Sequence, residues 1–336
     1  MRRTFRSIAL IGSLTAAGAA AAPSSFETGT RLFVDDMVRE HGFAREEVVA
    51  LMADARYQQR IIDAMKRPYE AKPWADYRSL FLTPERIAGG VAFWRENAAL
   101  LARAQAAYSV PPQVIVAIIG VETNYGHRLG DYRVLDALST LGFSYPPRAD
   151  FFRGELEEFL LLSRDERLDP RSAKGSYAGA VGKPQFIPSS YRAYAVDFDN
   201  DGRRDLWRSN ADVVGSIGHY LAQHGWQAGQ PVAVAARLER GRPTAVPIAD
   251  KRPLSPVTTL AELAAAGVEP VADGDAGPIP GNTKATLLEL EGAETEYWLG
   301  FANFYAVTRY NQSNLYAMAV HQLGREIARR YRDSEG

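Results

Sequence analysis

A run of apolar residues behind a proline pair sets the first structural requirement of this chain. Pro111-Pro112 predicts the first turn of a helix, where the missing N–H of proline is tolerated. Residues 114–121 follow and are apolar around the whole circumference of that helix. Such a helix must be buried on nearly every side, so the chain has to build a large core around it. Its 336 residues, of which 46% are hydrophobic, are sufficient for that core.

The apolar periodicity is helical from residue 26 to about residue 225. Thr83-Pro84 supplies an N-cap residue and a proline at the first helical position, which together predict a helix start. Behind it, apolar residues recur at spacings of three and four and predict one buried stripe on an amphipathic helix, formed by Ile87, Val91, Trp94, Ala98, Leu101 and Ala104. Further helical patterns fit residues 44–66, 112–125, 149–165, 211–224 and 313–331.

Between about residues 230 and 300 the pattern changes to short strands. Residues 232–238 and 285–290 are predicted to be strands, and the sequence between them is rich in Gly, Pro and Asp. A strong helical pattern returns afterwards. We therefore predict a mainly α (α+β) protein into which a small β-rich unit is inserted.

The first 22 residues have the composition of an export signal. Three arginines among the first six residues precede a short apolar run, and the small residues 20–22 offer a cleavage site before Pro23. The alternative is an N-terminal membrane anchor, but about 15 weakly apolar residues fall short of the roughly 20 that span a bilayer. Because the chain has no cysteine, we expect no lipid attachment at this junction. The expectation is a soluble, periplasmic protein that has no membrane span in its mature form.

Charge and residue counts exclude several classes of function. Lys and Arg number 39 against 40 Asp and Glu, so no excess of positive charge indicates a nucleic-acid partner. The absence of cysteine excludes disulfides, thiolate metal sites and a cysteine nucleophile. The five histidines never show the His-Glu-x-x-His spacing, and no Gly-x-Gly-x-x-Gly motif is present. We expect no cofactor for catalysis.

Glu122 is an acid in an apolar setting. It follows the apolar run directly and lies close to the helix end that Gly126 implies. Burial and the negative end of the helix dipole both disfavour a charged carboxylate there, so we expect both to raise the pKa of Glu122. A carboxyl that keeps its proton near neutral pH is suited to general acid catalysis. The alternative is a glutamate that reaches solvent, paired with Arg128.

The segment 176–191 has the composition of a ligand-binding loop. Gly179 and Gly182 allow close backbone approach, Gln185 can donate and accept hydrogen bonds, and Phe186 could stack on a sugar ring. A tight loop between helices, packed by its own aromatic residues, is an equally good interpretation of these residues alone.

Three separated motifs together resemble one enzyme family. Residues 120–126 (Gly-Val-Glu-Thr-Asn-Tyr-Gly), residues 176–191 and residues 303–311 (Asn-Phe-Tyr-Ala-Val-Thr-Arg-Tyr-Asn) are similar, in order and spacing, to the B family of membrane-bound lytic murein transglycosylases. The likeness runs from about residue 26 to residue 331. It implies a lysozyme-like core, peptidoglycan glycan strands as substrate, and cleavage between N-acetylmuramic acid and N-acetylglucosamine. It also makes complexes of cell-wall synthesis or division candidate partners.

The resemblance implies a division of the chain and a role for particular residues. The expected units are a signal peptide (1–22), part of an α-domain (23–110), a lysozyme-like catalytic core (111–228), an inserted β-domain (229–299), and a return to the core and α-domain (300–336). Glu122 matches the single catalytic acid/base of the family. The positions that match its sugar-binding residues are Tyr77, Ser176, Gln185, Phe186, Tyr220, Tyr310 and Asn311. Phe151 departs from the pattern, since the family has a tyrosine there, and Lys183-Pro184 also differs from the usual pair before the glutamine.

The mechanism that the resemblance implies needs one protein carboxylate. Ordinary glycosidases place two carboxylates across the scissile bond, whereas no second acid accompanies the Glu122 motif. In a lytic transglycosylase, the substrate's own N-acetyl group stabilises the cationic centre and its C6 hydroxyl attacks, which leaves a 1,6-anhydro sugar. Asn311 is then expected to bind the acetamide. The alternatives are a muramidase that uses water and an inactive protein of the same fold that binds peptidoglycan.

Residues 197–202 (Asp-Phe-Asp-Asn-Asp-Gly) match the beginning of an EF-hand calcium loop. Glycine stands at the sixth position, where the chain must turn, but Arg208 replaces the usual acid at position twelve. The resemblance implies that Asp212, on the following helix, closes the site; the alternative role of Asp212 is a first-turn acid behind an Asn210 N-cap. We expect a structural Ca²⁺ held by Asp197, Asp199, Asp201, the backbone carbonyl of Arg203, and Asp212. The competing interpretation is a solvated acidic turn.

Overall fold

The structure, a computed structural model, describes residues 22–66, 72–239, 241–271, 277–292 and 294–334. The predicted signal segment therefore lies outside the described residues, except for Ala22. Fourteen α-helices occur in the described ranges: α1 (Ser24–His41), α2 (Arg45–Asp54), α3 (Gln59–Met65), α4 (Trp74–Ser79), α5 (Pro84–Glu96), α6 (Ala98–Tyr108), α7 (Pro112–Thr123), α8 (Val134–Ser144), α9 (Ala149–Asp165), α10 (Pro188–Tyr194), α11 (Asn210–Gln223), α12 (Leu260–Ala265), α13 (Ala302–Tyr310) and α14 (Asn314–Asp333).

The strands form two separate sheets. The described strands are β1 (Tyr132–Arg133), β2 (Lys174–Gly175), β3 (Ala233–Leu238), β4 (Ile248–Ala249), β5 (Thr258–Thr259), β6 (Val268–Pro270), β7 (Lys284–Leu290) and β8 (Glu296–Gly300). Strands β1 and β2 pair with each other, and the remaining six form a sheet in the order β4-β7-β8-β3-β6, with β5 added to β7. The long pairings β7–β8 and β3–β8 are antiparallel. The prediction of a mainly helical protein with a small sheet is confirmed.

Helix α7 lies at the centre of the helical part, as its apolar circumference predicts. Residues 114–121 are all at most 9% exposed. Helices α5, α6, α11 and α14 pack around it. Gly324 permits the close approach of α14, because a Cβ there would lie 2.9 Å from the carbonyl oxygen of Gln113. The neighbours of α7 therefore bring distant parts of the chain to both of its ends.

The helix predicted over residues 44–66 is two helices, α2 and α3. The chain between them is extended because side chains of α8 bind its backbone: Asp136 accepts a hydrogen bond from the N–H of Arg56, and Thr140 accepts one from the N–H of Gln58. Asp136 is buried, at 1% exposure. These long-range hydrogen bonds replace those of a continuous helix.

The single stripe predicted from Ile87 to Ala104 is also divided, at Asn97, between α5 and α6. The Asn97 amide donates to the carbonyl of Phe93 and accepts from the side chain of Asn210, so it competes with the helical backbone. The alternative role of Asp212 made Asn210 the N-cap of α11; in the structure Asn210 is the first residue of that helix. Ser209 caps that helix instead by accepting a hydrogen bond from the N–H of Asp212.

No single described helix is both long and apolar enough to cross a bilayer. Helices α6 and α7 satisfy the length and hydropathy criteria only as a pair, and they are bent by 113° relative to each other.

Candidate active site

Glu122 is half-buried and lies one residue before the end of α7. Its Oε1 accepts a hydrogen bond of 2.6 Å from the hydroxyl of Tyr316, in the first turn of α14. The two residues are 194 positions apart in sequence. The packing of α14 against α7 therefore gives the carboxyl a defined partner.

Tyr316 is a site residue that sequence reasoning missed. The motif that indicated the third part of the site ended at Asn311, five residues earlier. A usable signal was the helical spacing of Tyr316, Val320, Leu323 and Ile327, all of which are buried. That spacing places Tyr316 on the same face of α14 as the residues that pack into the core.

Burial keeps the phenol groups at this site protonated. It raises the pKa of Tyr316 and Tyr310 well above the ordinary value, and the nearby charge of Glu122 acts in the same direction. Both hydroxyls therefore remain hydrogen-bond donors throughout the physiological pH range. A carboxyl that is hydrogen-bonded by a neutral donor can be either protonated or charged. A group that first gives a proton and then accepts one needs both of these states.

An aromatic cluster adjoins Tyr316. The Tyr310 ring stacks on Tyr316 at 6.2 Å and contacts Phe186 at 5.7 Å and Tyr220 at 4.9 Å. Phe186 is 2% exposed and Tyr220 is 7% exposed. Burial raises the pKa of Tyr220 to about 12, and its hydroxyl donates to the carbonyl of Arg309. In the described structure, Phe186 and Tyr220 thus pack against Tyr310 and expose little ring surface.

Tyr77 is likewise buried, at 2% exposure, on α4. It stacks near Trp74 and Phe81, at 6.5 Å and 5.0 Å between ring centroids. It is close enough to Tyr316 to contribute to the raised pKa of that residue. Helix α4 packs on α14, and this packing brings Tyr77 near Tyr316.

The loop that carries Ser176 and Gln185 is held by its own hydrogen bonds. The Ser176 hydroxyl oxygen accepts from the N–H groups of Ala178 and Ala180. Gln185 has a φ of +50°, and its amide donates to the carbonyls of Gly182 and Leu129. The Gln185 amide hydrogens therefore maintain the loop, which leaves its amide oxygen as the group suited to accept from a ligand.

Two hydroxyls connect this loop to the Glu122 region. Thr123, the neighbour of Glu122, donates to the carbonyl of Lys183, and Tyr310 donates to the carbonyl of Pro184 at 2.6 Å. Asn311 ends α13 and is partly exposed in the short link to α14. These two hydrogen bonds join the end of α7 and the end of α13 to the loop that carries Gln185, and Asn311 follows Tyr310 directly in the chain.

Two cavities, of about 630 and 850 Å³, lie along the second half of α14. Arg325 and Arg332 line both of them. None of the predicted site residues is among the residues that line either cavity. These cavities are therefore distinct from the region around Glu122.

The predicted calcium loop brings three carboxylates together. One carboxylate oxygen each from Asp197, Asp199 and Asp212 lies within 4.8 Å of the others. Asp212 is 1% exposed; burial raises its pKa, and the charges of Asp199 and Asp197 raise it further. A divalent cation would offset this repulsion, so the donor set fits calcium. Asp201 is not part of this cluster; its carboxylate accepts a hydrogen bond from the N–H of Arg203 within the turn.

Comparison with known proteins gives consistent results over nearly the whole chain. Residues 25–325 match the family model described as the transglycosylase SLT domain. The membrane-bound lytic murein transglycosylase B of Escherichia coli K12 is 44% identical over 307 residues, which are 88% of this chain and 81% of that protein. The crystal structure of the soluble lytic transglycosylase SltB1 from Pseudomonas aeruginosa has 47% identity and a TM-score of 0.82, and the match covers 92% of this chain and 99% of the other.

A third relative carries a metal. The lytic transglycosylase Slt35 of Escherichia coli, solved in complex with calcium, has 43% identity and a TM-score of 0.80, and the match covers 90% of this chain and 93% of the other. Because the family model spans most of the chain and the relatives exceed 40% identity, the mainly helical, lysozyme-like fold class and the enzyme class expected from the sequence are confirmed. The chain belongs to the family of lytic murein transglycosylases that carry the transglycosylase SLT domain.

Proposed function

We propose that Glu122 is the single acid/base with which this lytic murein transglycosylase cleaves the bond between N-acetylmuramic acid and N-acetylglucosamine. The observation that carries the proposal is the position of the carboxyl at the end of a buried helix, bound at 2.6 Å by a tyrosine hydroxyl that burial keeps protonated. In this arrangement one residue can serve both proton transfers.

The proposed reaction has two proton transfers and consumes no water. Glu122 gives its proton to the glycosidic oxygen, the C1–O bond breaks, and the N-acetyl group of the sugar stabilises the cationic C1. The carboxylate of Glu122 then removes the proton of the C6 hydroxyl, whose oxygen bonds to C1. Glu122 is protonated again at the end, and the strand carries a 1,6-anhydromuramic acid terminus.

We also propose the binding roles of the surrounding residues. Asn311 hydrogen-bonds the acetamide of the sugar, and the Gln185 amide oxygen accepts a hydrogen bond from the same strand. Phe186 and Tyr220 act through packing, since they are buried and keep Tyr310 in place. With the proposed export signal removed, the enzyme would act on glycan strands in the periplasm.

The nature of the product tests the reaction. Purified sacculi digested with the protein are expected to yield muropeptides with anhydro ends, which are lighter by one water than hydrolytic ends. Mass spectrometry of the digest measures this difference directly. Products that all carry reducing ends would show a muramidase instead, and the absence of any product would indicate a binding protein.

We further propose that Asp197, Asp199 and Asp212 hold a structural Ca²⁺, together with Asp201 and the backbone carbonyl of Arg203. Bound calcium would neutralise the carboxylates and stiffen the turn, with no part in the proton transfers. The support is the carboxylate cluster around the buried Asp212 and the calcium complex of the relative Slt35.

Removal of calcium is expected to lower the unfolding temperature by several degrees. A ligand that binds only the native state stabilises it by about 2.7 kcal/mol at 100 times its Kd. Thermal unfolding followed by circular dichroism, with EDTA and then with added Ca²⁺ or Mg²⁺, measures the effect. An unfolding temperature that is the same in EDTA and in excess Ca²⁺ would contradict the site.

A further inference from the structure

Helix α7 ends at Thr123, one residue after Glu122, and the chain leaves it through an unusual pair of residues. Asn124 has a φ of +49° and Tyr125 a φ of +62°, so both lie in the left-handed region. Asparagine tolerates this conformation, but for a bulky aromatic residue it is strained. Such strain persists only where the surroundings hold the residue in place.

The Tyr125 ring occupies a hollow that three glycines leave open. A Cβ added at Gly89 would lie 2.9 Å from a carbon of the Tyr125 ring. A Cβ added at Gly90 or at Gly120 would lie 2.6 Å from the Tyr125 hydroxyl oxygen. Gly89 and Gly90 belong to α5 and Gly120 to α7. Glycine inside a helix is destabilising relative to alanine, yet all three positions leave the space that the ring occupies, which at Gly90 is shared with Ile327.

Polar and aromatic contacts also surround the Tyr125 ring. The ring stacks on Phe93 of α5, with centroids 5.9 Å apart. The Tyr125 hydroxyl donates to the carbonyl of Arg86 at 2.8 Å, and the Arg86 guanidinium donates to the carbonyl of Gly120 at 2.5 Å. A closed set of contacts therefore runs from the turn after Glu122 through α5 and back to α7, two residues before Glu122.

We propose that Tyr125 is a positioning residue that sets the direction of the Glu122 carboxyl by locking the end of α7 against α5. The proposal rests on the acid/base role of Glu122. With the Tyr125 ring packed between α5 and α7, the last turn of α7 has a single arrangement. The Glu122 carboxyl then meets Tyr316 on one side and the substrate on the other. Without the ring, the strained pair would relax and the last turn would unwind.

Two variants of Tyr125 and a matched pair of controls test this positioning role. In Tyr125→Phe the ring stays but the Arg86 carbonyl loses its donor, and in Tyr125→Leu the ring is lost. We expect kcat on sacculi to fall about tenfold and about hundredfold respectively, since small misplacements of reacting groups have effects of that order, while KM changes less than twofold. The controls are Tyr331→Phe and Tyr331→Leu, because Tyr331 stacks on Trp94 of the same helix α5 at 4.5 Å.

A purely structural role would make the two tyrosines equivalent. All variants are assayed at a temperature at which circular dichroism shows them fully folded. If the Tyr125 variants have the same kcat as Tyr331 variants that lose an equal amount of stability, the proposal is wrong. Turnover is counted as total muropeptide released, so an error in the assigned product would appear in the mass spectra and leave this comparison intact.

A glycine variant gives an independent test that does not remove the tyrosine. Gly89→Ala places a methyl group against the Tyr125 ring, and we expect it to lower kcat about tenfold. Gly154→Ala is the control, because it lies inside helix α9 with nothing within 4 Å of an added Cβ. In a Tyr125→Leu background, the effect of Gly89→Ala should disappear. An equal effect in both backgrounds would overturn the proposed contact.

Discussion

Replacement of Glu122 with glutamine is expected to reduce turnover of sacculi by about 10³-fold, because the amide cannot give or take the required proton. The amide oxygen can still accept the hydrogen bond from Tyr316, so the fold should be preserved. Released muropeptides measure turnover, and co-sedimentation with sacculi measures binding, which is expected to persist.

The matched control is Glu96→Gln. Glu96 also ends a helix, α5, but is exposed to solvent. It should retain full activity. Turnover by the Glu122→Gln variant at the rate of the Glu96→Gln variant would remove Glu122 from the mechanism.

Replacement of Asp212 with alanine is expected to destabilise the protein by about 2–5 kcal/mol. The buried Asp212 carboxylate accepts hydrogen bonds from the N–H groups of Phe198 and Asp205, at 2.8 Å and 2.7 Å, and each unsatisfied buried donor costs about 1–3 kcal/mol. Urea unfolding monitored by tryptophan fluorescence gives the free energy of unfolding. The variant should also lose the increase in unfolding temperature on addition of Ca²⁺.

Asp76→Ala is the control for this prediction, since Asp76 is also a first-turn acid, in α4, but is exposed. The Asp76→Ala substitution should lower the free energy of unfolding by less than 1 kcal/mol, because an exposed charge at a helix end contributes about 0.3–1 kcal/mol. Equal costs for the two variants would show that Asp212 does not connect the two ends of the loop.

The predictions that came from local pattern agree well with the structure. Thr83 caps α5 through the N–H of Arg86, and α9 spans the predicted residues 149–165. The apolar run after Pro112 is the buried helix α7. Caps and periodicity depend on residues within one or two helical turns, so they can be read from the sequence itself.

The predictions that failed depended on contacts between distant residues. The break between α2 and α3 comes from Asp136 and Thr140, about 80 residues further along the chain. Asn210, the N-cap in the alternative role of Asp212, is the first residue of α11, and its side chain binds Asn97. Side chains that can satisfy a distant backbone group leave no periodic signal, so these choices could not be predicted locally.

The sequence by itself determined that Glu122 lies near the end of a helix that is apolar around its whole circumference. It also determined that Asp197, Asp199 and Asp201 stand at alternate positions before a turn at Gly202. It also placed the aromatic and amide residues of the site on particular segments. Tertiary structure alone decided that the Tyr316 hydroxyl meets Glu122 and that Phe186 and Tyr220 are buried against Tyr310. It also brings the Asp212 carboxylate close to those of Asp197 and Asp199. The physical reason is that helix geometry is local, whereas each of these contacts depends on how helices from separate parts of the chain pack around α7.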